Sequence, residues 1–224
     1  IHLLQPIFPQ IIRFGVFLLF NTLKGIFMKK ISELIIASEN KNKIVHVKNV
    51  LEPIGIKVKT VSDLGKIEEN GSTYRENALI KAENVFSKFN TPVLADDSGF
   101  EIESLNGFPG TVSARFASAC GSYEEAFRIL NSCISLNSNA SFTTVLVLMY
   151  KDNEKIVKKI FDGKLKGKFV FPGRGTNGFG YCPCFIPEGS DQTLAEMSDE
   201  TRMKFNHRAI ALNKLCDFLK SENN

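Results

Sequence analysis

Pro92-Val93-Leu94-Ala95-Asp96-Asp97-Ser98-Gly99 sets the expected architecture of this chain. Val93 to Ala95 reads as a short buried strand, because a strand covered on both faces is apolar throughout rather than alternating. On this reading two carboxylates and a Ser-Gly step leave the sheet at the strand's end. In α/β sheets, ligands bind outside the carboxyl ends of strands. Adjacent carboxylates repel each other and call for a positive partner. A divalent cation, Mg²⁺, is the simplest, since it takes oxygen ligands and bridges to phosphates. The plain alternative is a strand-to-turn boundary in which Asp-Asp-Ser-Gly is turn chemistry.

Working outward, strand and helix patterns alternate. Upstream, Glu33 to Ala37 reads as a strand, Asn40 to Leu51 as a helix with Ile44, Val47, Val50 and Leu51 on one face, and Ile56 to Val61 as a second strand. Ser62 to Gly71 is polar and reads as a loop, and Tyr74 to Phe89 as a long helix with Ala78, Leu79, Ala82, Val85 and Phe86 inward. Downstream, Asn106-Gly107 and Pro109-Gly110 signal turns. Ser122 caps a helix running to Leu130, and Phe142 to Tyr150 is a β-branched and apolar central strand. Ile156 to Phe161 and Leu165 to Phe171 read as two strands with a hairpin at Asp162-Gly163. Glu200 to Lys220 reads as one closing helix with Ala209, Leu212, Leu215 and Leu219 inward. The expectation is α/β: a mixed twisted sheet flanked by helices.

The chain has 224 residues, 43% hydrophobic and 23% charged, enough for one core and two lobes. Its formal net charge of +4 suits an anionic small molecule better than a nucleic-acid groove. Five cysteines, an odd count without a CxxC pair, read as reduced thiols and a cytoplasmic setting. Residues 1–27 are apolar with scattered prolines, and their longest apolar run, Gly15 to Phe20, is far shorter than the roughly 20 residues of a membrane helix. Met28-Lys29-Lys30 looks like an ordinary start. We therefore expect 1–27 to be an over-extended reading frame or disordered tail, with a membrane-associating segment as the alternative, 28–224 to be the folded domain, and no membrane association of that domain.

Four segments carry candidate chemistry. Ala37-Ser38-Glu39-Asn40-Lys41-Asn42-Lys43 joins a strand to a helix N-terminus, a position suited to phosphate, with Asn40 and Lys43 as contacts. Glu68 and Glu69, with Glu76 beyond, offer carboxylates to complete a Mg²⁺ shell with Asp97. Pro172 to Tyr181 is rich in glycine, which implies close backbone approach, and holds Phe179 where a base can stack on it. Asn206-His207-Arg208, with Arg202 before it, presents donors fit for purine carbonyl oxygens.

Together these pieces resemble the inosine/xanthosine triphosphate pyrophosphatases. The resemblance is carried by Asn77-Ala78-Leu79-Ile80-Lys81-Ala82. It continues through Ala95-Asp96-Asp97-Ser98-Gly99 to Asn106-Gly107-Phe108-Pro109-Gly110 and Ser113-Ala114-Arg115. It closes with Gly178-Phe179-Gly180-Tyr181, Ala195-Glu196-Met197 and His207-Arg208. It implies two lobes around a central nucleotide cleft, a homodimer, and Mg²⁺-dependent cleavage of irregular purine triphosphates to the monophosphate and pyrophosphate. By resemblance, Ser38, Glu39, Asn40, Lys41, Asn42 and Lys43 form the triphosphate loop, and Ser98 is a substrate contact. Asp97 is the catalytic acid, with Asp97, Glu69 and Asp96 as metal ligands. Phe179, Gly180, Tyr181, Cys182 and Arg202 lie on the base side, where His207 and Arg208 read the 6-keto group. The family pattern has Gly-Tyr-Asp-Pro where this chain has Gly180-Tyr181-Cys182-Pro183, Lys where it has Arg202, and Ser-His-Arg where it has Asn206-His207-Arg208. The rival readings are a Maf-type pyrophosphatase acting on modified pyrimidine nucleotides, and a nucleotide-binding protein without catalysis.

Overall fold

The structure, a computed structural model, describes residues 31–61, 63–65, 67–134 and 138–223; the segment 1–27 lies outside the described residues. The elements run β1 (Glu33–Ala37), α1 (Lys41–Leu51), β2 (Lys57–Thr60), α2 (Tyr74–Phe89), β3 (Val93–Ile102), β4 (Pro109–Gly110) and α3 (Ser113–Ala119). They continue with α4 (Tyr123–Ser132), β5 (Asn139–Asp152), β6 (Lys155–Phe169), β7 (Phe185–Pro187), α5 (Asp199–Lys204) and α6 (His207–Asn223). One mixed sheet takes the order β2-β1-β3-β5-β6-β7, with β4 on the far end of β3. β1 is parallel to β2 and β3, and the remaining pairs are antiparallel.

Strand alternation sorts the core. Leu34, Ile36 and Leu94 face α1 and α6, where they meet Val47, Leu51, Leu212 and Leu215. Ile35, Ala37, Val93 and Ala95 face the other way, onto Ala78, Ala82 and Val85 of α2. A third cluster covers the far end of the long strands: Phe100 and Ile102 pack with Phe127, Leu130, Phe169 and Phe185. By parity along β3 this cluster lies on the α1/α6 face. That face therefore carries two apolar lobes with polar Asp96 and Ser98 between them.

Three sequence expectations change. β3 does not end at Ala95. It continues to Ile102, and Asp96 and Asp97 pair with Leu146 and Val145 of β5. The ladder to β5 carries the polar run, so apolarity alone does not mark the strand's end. The hairpin expected at Asp162-Gly163 lies instead at Asn153-Glu154, both in the left-handed region that a two-residue turn requires. Gly163 is a mid-strand residue whose absent Cβ would sit 2.0 Å from the His207 carbonyl oxygen, so α6 starts directly against β6 there. Finally, the closing helix is broken. α5 stops at Lys204, and Asn206 caps α6 by accepting from the amides of Arg208 (2.9 Å) and Ala209 (3.2 Å). Asn is as good an N-cap as Ser, so Asn206 keeps the helix start intact.

Candidate active site

The site forms where β1 stops. The last β1–β3 pair is Ala37–Ala95, and β4 meets β3 only from Phe100 on. Between them, among the described residues, Asp96 to Gly99 have no strand neighbour on that side. A cavity of about 850 Å³ occupies the gap. Ligands in α/β sheets sit beyond strand carboxyl ends, and here the strand that ends is β1.

Asp96 and Asp97 do not act as a pair. As consecutive strand residues they point to opposite faces. Asp96, 1% exposed, accepts from Lys43 of α1 at one oxygen and from Arg208 Nε (2.7 Å) at the other. Burial raises the pKa of its carboxyl, but Arg208 and Lys43 outweigh that and hold it well below the usual range. Asp97, 5% exposed, faces α2, where Lys81 Nζ lies 3.0 Å from Oδ1 and Asn77 Nδ2 lies 3.4 Å from Oδ2. Burial pushes the Asp97 carboxyl up; Lys81 and Lys43 offset this only in part, and Glu69 adds to it.

Glu69 sits on the segment between β2 and α2, 3.3 Å from the same Lys81 Nζ. That segment is held by Gly71 N donating to Asn77 Oδ1 (2.8 Å), Lys88 Nζ to the Leu64 carbonyl (2.9 Å) and Arg115 Nη1 to the Glu69 carbonyl (3.4 Å). One lysine thus serves two carboxylates, leaving them a net negative charge. Among the described residues no three His, Cys, Asp or Glu side chains cluster to hold a metal. Two hard oxygen donors around a single lysine suit Mg²⁺, whose remaining ligands are normally water and substrate phosphate. The expected third ligand, Asp96, is corrected: both its oxygens are committed to cations, so its part is to join α1 and α6 to β3.

The loop expected to hold phosphate lies only in part at the cavity. Ser38, Glu39, Asn40 and Lys43 line the cavity, whereas Lys41 and Asn42 do not and are exposed. Helix geometry turns those two outward. Asn40 caps α1, its Oδ1 accepting from the amides of Asn42 (3.0 Å) and Lys43 (3.3 Å), so these helix-terminal amides already have a partner. Ser98 Oγ lies 3.2 Å from Arg208 Nη2.

At the other end Phe179, 48% exposed, borders the cavity beside Gly180. Tyr181 also borders it, but its ring stacks on Phe100 (4.8 Å) and its hydroxyl donates to the Ser113 carbonyl (2.9 Å), so it braces the core. The glycine-rich backbone approaches another loop: Asn177 N donates to the Ala195 carbonyl at 2.9 Å. Cys182 is buried at the wall, and Arg202 pairs with Asp199 on its own helix. The His207 ring stacks on Phe142 (5.1 Å). Burial, then Arg208, push its pKa well down, so the ring is neutral.

Sequence reasoning gave no role to Lys81, Asn77, Arg115 or His46, all in or beside the cavity. A signal existed for the first two. Asn77 and Lys81 lie one turn apart on the apolar face of α2 among Ala78, Ala82 and Val85, and a buried polar pair on such a face implies partners. His46 lies three residues after Lys43, on the same face of α1.

A mixed sheet interrupted by a cleft, its wall carrying the Asp97–Lys81–Glu69 group, the Lys43–Asp96–Arg208 group and an exposed aromatic ring beside Arg202, defines an α/β protein with a site for a charged ligand. The chain belongs to the Ham1 family, whose family model matches residues 34–218. A Bacillus licheniformis protein named dITP/XTP pyrophosphatase is 38% identical over 194 residues, covering 84% of this chain and 97% of the relative. The Bacillus subtilis protein of the same name is 37% identical over 196 residues, covering 84% and 98%. The solved Ham1 protein of Staphylococcus aureus superposes with a TM-score of 0.76 at 36% identity, covering 85% of this chain and 99% of that one.

Proposed function

We propose that this protein hydrolyses irregular purine nucleoside triphosphates, ITP, dITP and XTP, to the monophosphate and pyrophosphate. The observation that carries this reading is one cavity holding the Asp97–Lys81–Glu69 group at one end and Phe179 with Arg202 at the other. In it a flat base stacks on Phe179, and His207 and Arg208 face the 6-keto oxygen. Adenine, with an amino group there, leaves those donors without an acceptor, which polar sites reject strongly. Lys43 in the first turn of α1 and Ser38 just after β1 face the triphosphate.

Asp97 and Glu69 would hold Mg²⁺, which supplies charge neutralisation of the triphosphate and a more acidic water. The protein's own work is positioning and proton transfer. Water attacks the α-phosphorus, the bond from that phosphorus to the bridging oxygen breaks, and pyrophosphate departs with the electron pair. Asp97, held ionised by Lys81, accepts the water's proton. Lys81 keeps Asp97 oriented and ionised. The resemblance further implies a cytoplasmic homodimer, which light scattering of the purified chain checks by mass. Among the described residues no helix is long and apolar enough to cross a membrane.

The test is pyrophosphate release from ITP, XTP, ATP, dUTP and dTTP, with Mg²⁺ and with chelator. Mg²⁺-dependent turnover of ITP and XTP is expected. Turnover confined to dUTP or dTTP gives the Maf-type reading instead, and tight ITP binding without turnover gives the binding-protein reading.

A further inference from the structure

Around Arg202 and Arg208 the neighbouring carboxylates do not fully offset the positive charge. Asp96 is shared between Lys43 and Arg208. The carboxylate paired with Arg202, Asp199, is 86% exposed at its side chain and sits in water, where an ion pair is weak. Arg202 Nη1 is buried and has no hydrogen-bond partner among the described residues. Its guanidinium carbon lies 3.6 Å from where a Cβ on Gly178 would sit, and Cys182 Sγ lies 3.0 Å from the same point. Cys182 offers no charge: burial pushes its thiol up, so it is protonated. Behind them His46 Nδ1 is also buried and unpartnered. Burial, then Arg208, push the His46 pKa down, so it too is neutral. Arg208 has spent Nε and Nη2 on Asp96 and Ser98. The group short of an acceptor is Arg202.

We propose that Arg202 reads the purine 2-position, so that the site prefers a 2-oxo purine, XTP, to ITP and rejects GTP. This rests on the hydrolytic reading above. Xanthine presents a carbonyl oxygen at C2 and its ring loses a proton near neutral pH, so it brings both an acceptor and negative charge to a guanidinium with a buried, unpartnered Nη1 and a solvent-exposed carboxylate partner. Hypoxanthine has only a C–H there and leaves the buried N–H unpaired, at a continuing cost. Guanine places an amino donor against a donor. GTP shares the 6-keto group with both substrates, so only the 2-position can exclude it.

The experiment compares kcat/KM for XTP, ITP and GTP in the wild type, Cys182→Asp and Arg202→Gln, with thermal melts to confirm folding. The wild type favours XTP over ITP by about tenfold, equivalent to about 1.4 kcal/mol. Cys182→Asp places a carboxylate beside Arg202 and lowers the XTP:ITP ratio about tenfold; Arg202→Gln lowers XTP turnover more than ITP turnover. A wild-type ratio near or below one, or a ratio untouched by both substitutions, overturns the proposal. Calorimetric binding of XMP and IMP to the wild type gives a second measure that needs no variant, and tighter XMP binding is expected. If neither triphosphate releases pyrophosphate, the hydrolytic reading fails and the monophosphate ratio still decides this one. If ITP is turned over without XTP preference, only this inference fails.

Discussion

In the proposed reaction Asp97 takes the proton, and its surroundings disagree about its charge. Burial raises its pKa, Lys81 lowers it, and burial prevails. Only an ionised Asp97 can take a cation, so Mg²⁺ binding to the metal-free protein should weaken on the acid side at a pH above the roughly 4 of an ordinary carboxylate; calorimetric Mg²⁺ titrations across pH locate that limb. The sign for stability is opposite. A native pKa above the unfolded one means the folded state binds the proton more tightly, so ionisation costs stability as pH rises. Asp97→Asn should therefore abolish most turnover while its melting temperature holds or rises, and a variant that unfolds at lower temperature would contradict this. Phe179 works differently. The residue is 48% exposed and supports little core, so Phe179→Ala should raise KM by about tenfold, about 1.4 kcal/mol of stacking, with the melt unchanged.

Between elements, Asp96 ties α1 through Lys43 and α6 through Arg208 to the middle of β3. Its depressed pKa means this stabilisation is complete above the unfolded value near 4 and is lost only as pH falls through the lower native value. Asp96→Ala leaves two buried cations without their anion and should cost about 3–5 kcal/mol, measured by denaturant unfolding at neutral pH. Gly163 guards the same junction from the other side. A methyl group there meets the His207 carbonyl at 2.0 Å and Ala211 N at 2.8 Å, backbone that cannot rotate away. Gly163→Ala should cost about 1–3 kcal/mol of stability and push Arg208 out of register, so activity and melting temperature fall together.

In the whole molecule, β3, β5 and β6 run unbroken beneath both apolar lobes, and the cleft is the polar interval between them. A ligand spanning that interval stabilises the fold by binding only the native state. XMP at about 100 times its Kd should add about 2.7 kcal/mol, read as a raised melting temperature. The helices α1, α2 and α4, the α/β class and the motif residues were legible in the sequence because they follow from local signals: period-3.6 apolar stripes, caps such as Ser122 and Asn40, and clusters of charge and glycine. Placement was not. Nothing local in Ala95-Asp96-Asp97-Ser98 says that the strand continues, since the reason is the β5 ladder some fifty positions away. Nothing local in Asp162-Gly163 distinguishes a turn from a strand that must clear an approaching helix. The sequence by itself determined which residue types were available, a carboxylate pair, lysines, an aromatic ring and arginines. Only the tertiary structure decided that Asp96 and Asp97 face opposite ways, one locked between cations and the other left underneutralised, because adjacent strand residues alternate across a sheet and each face brings its own helix.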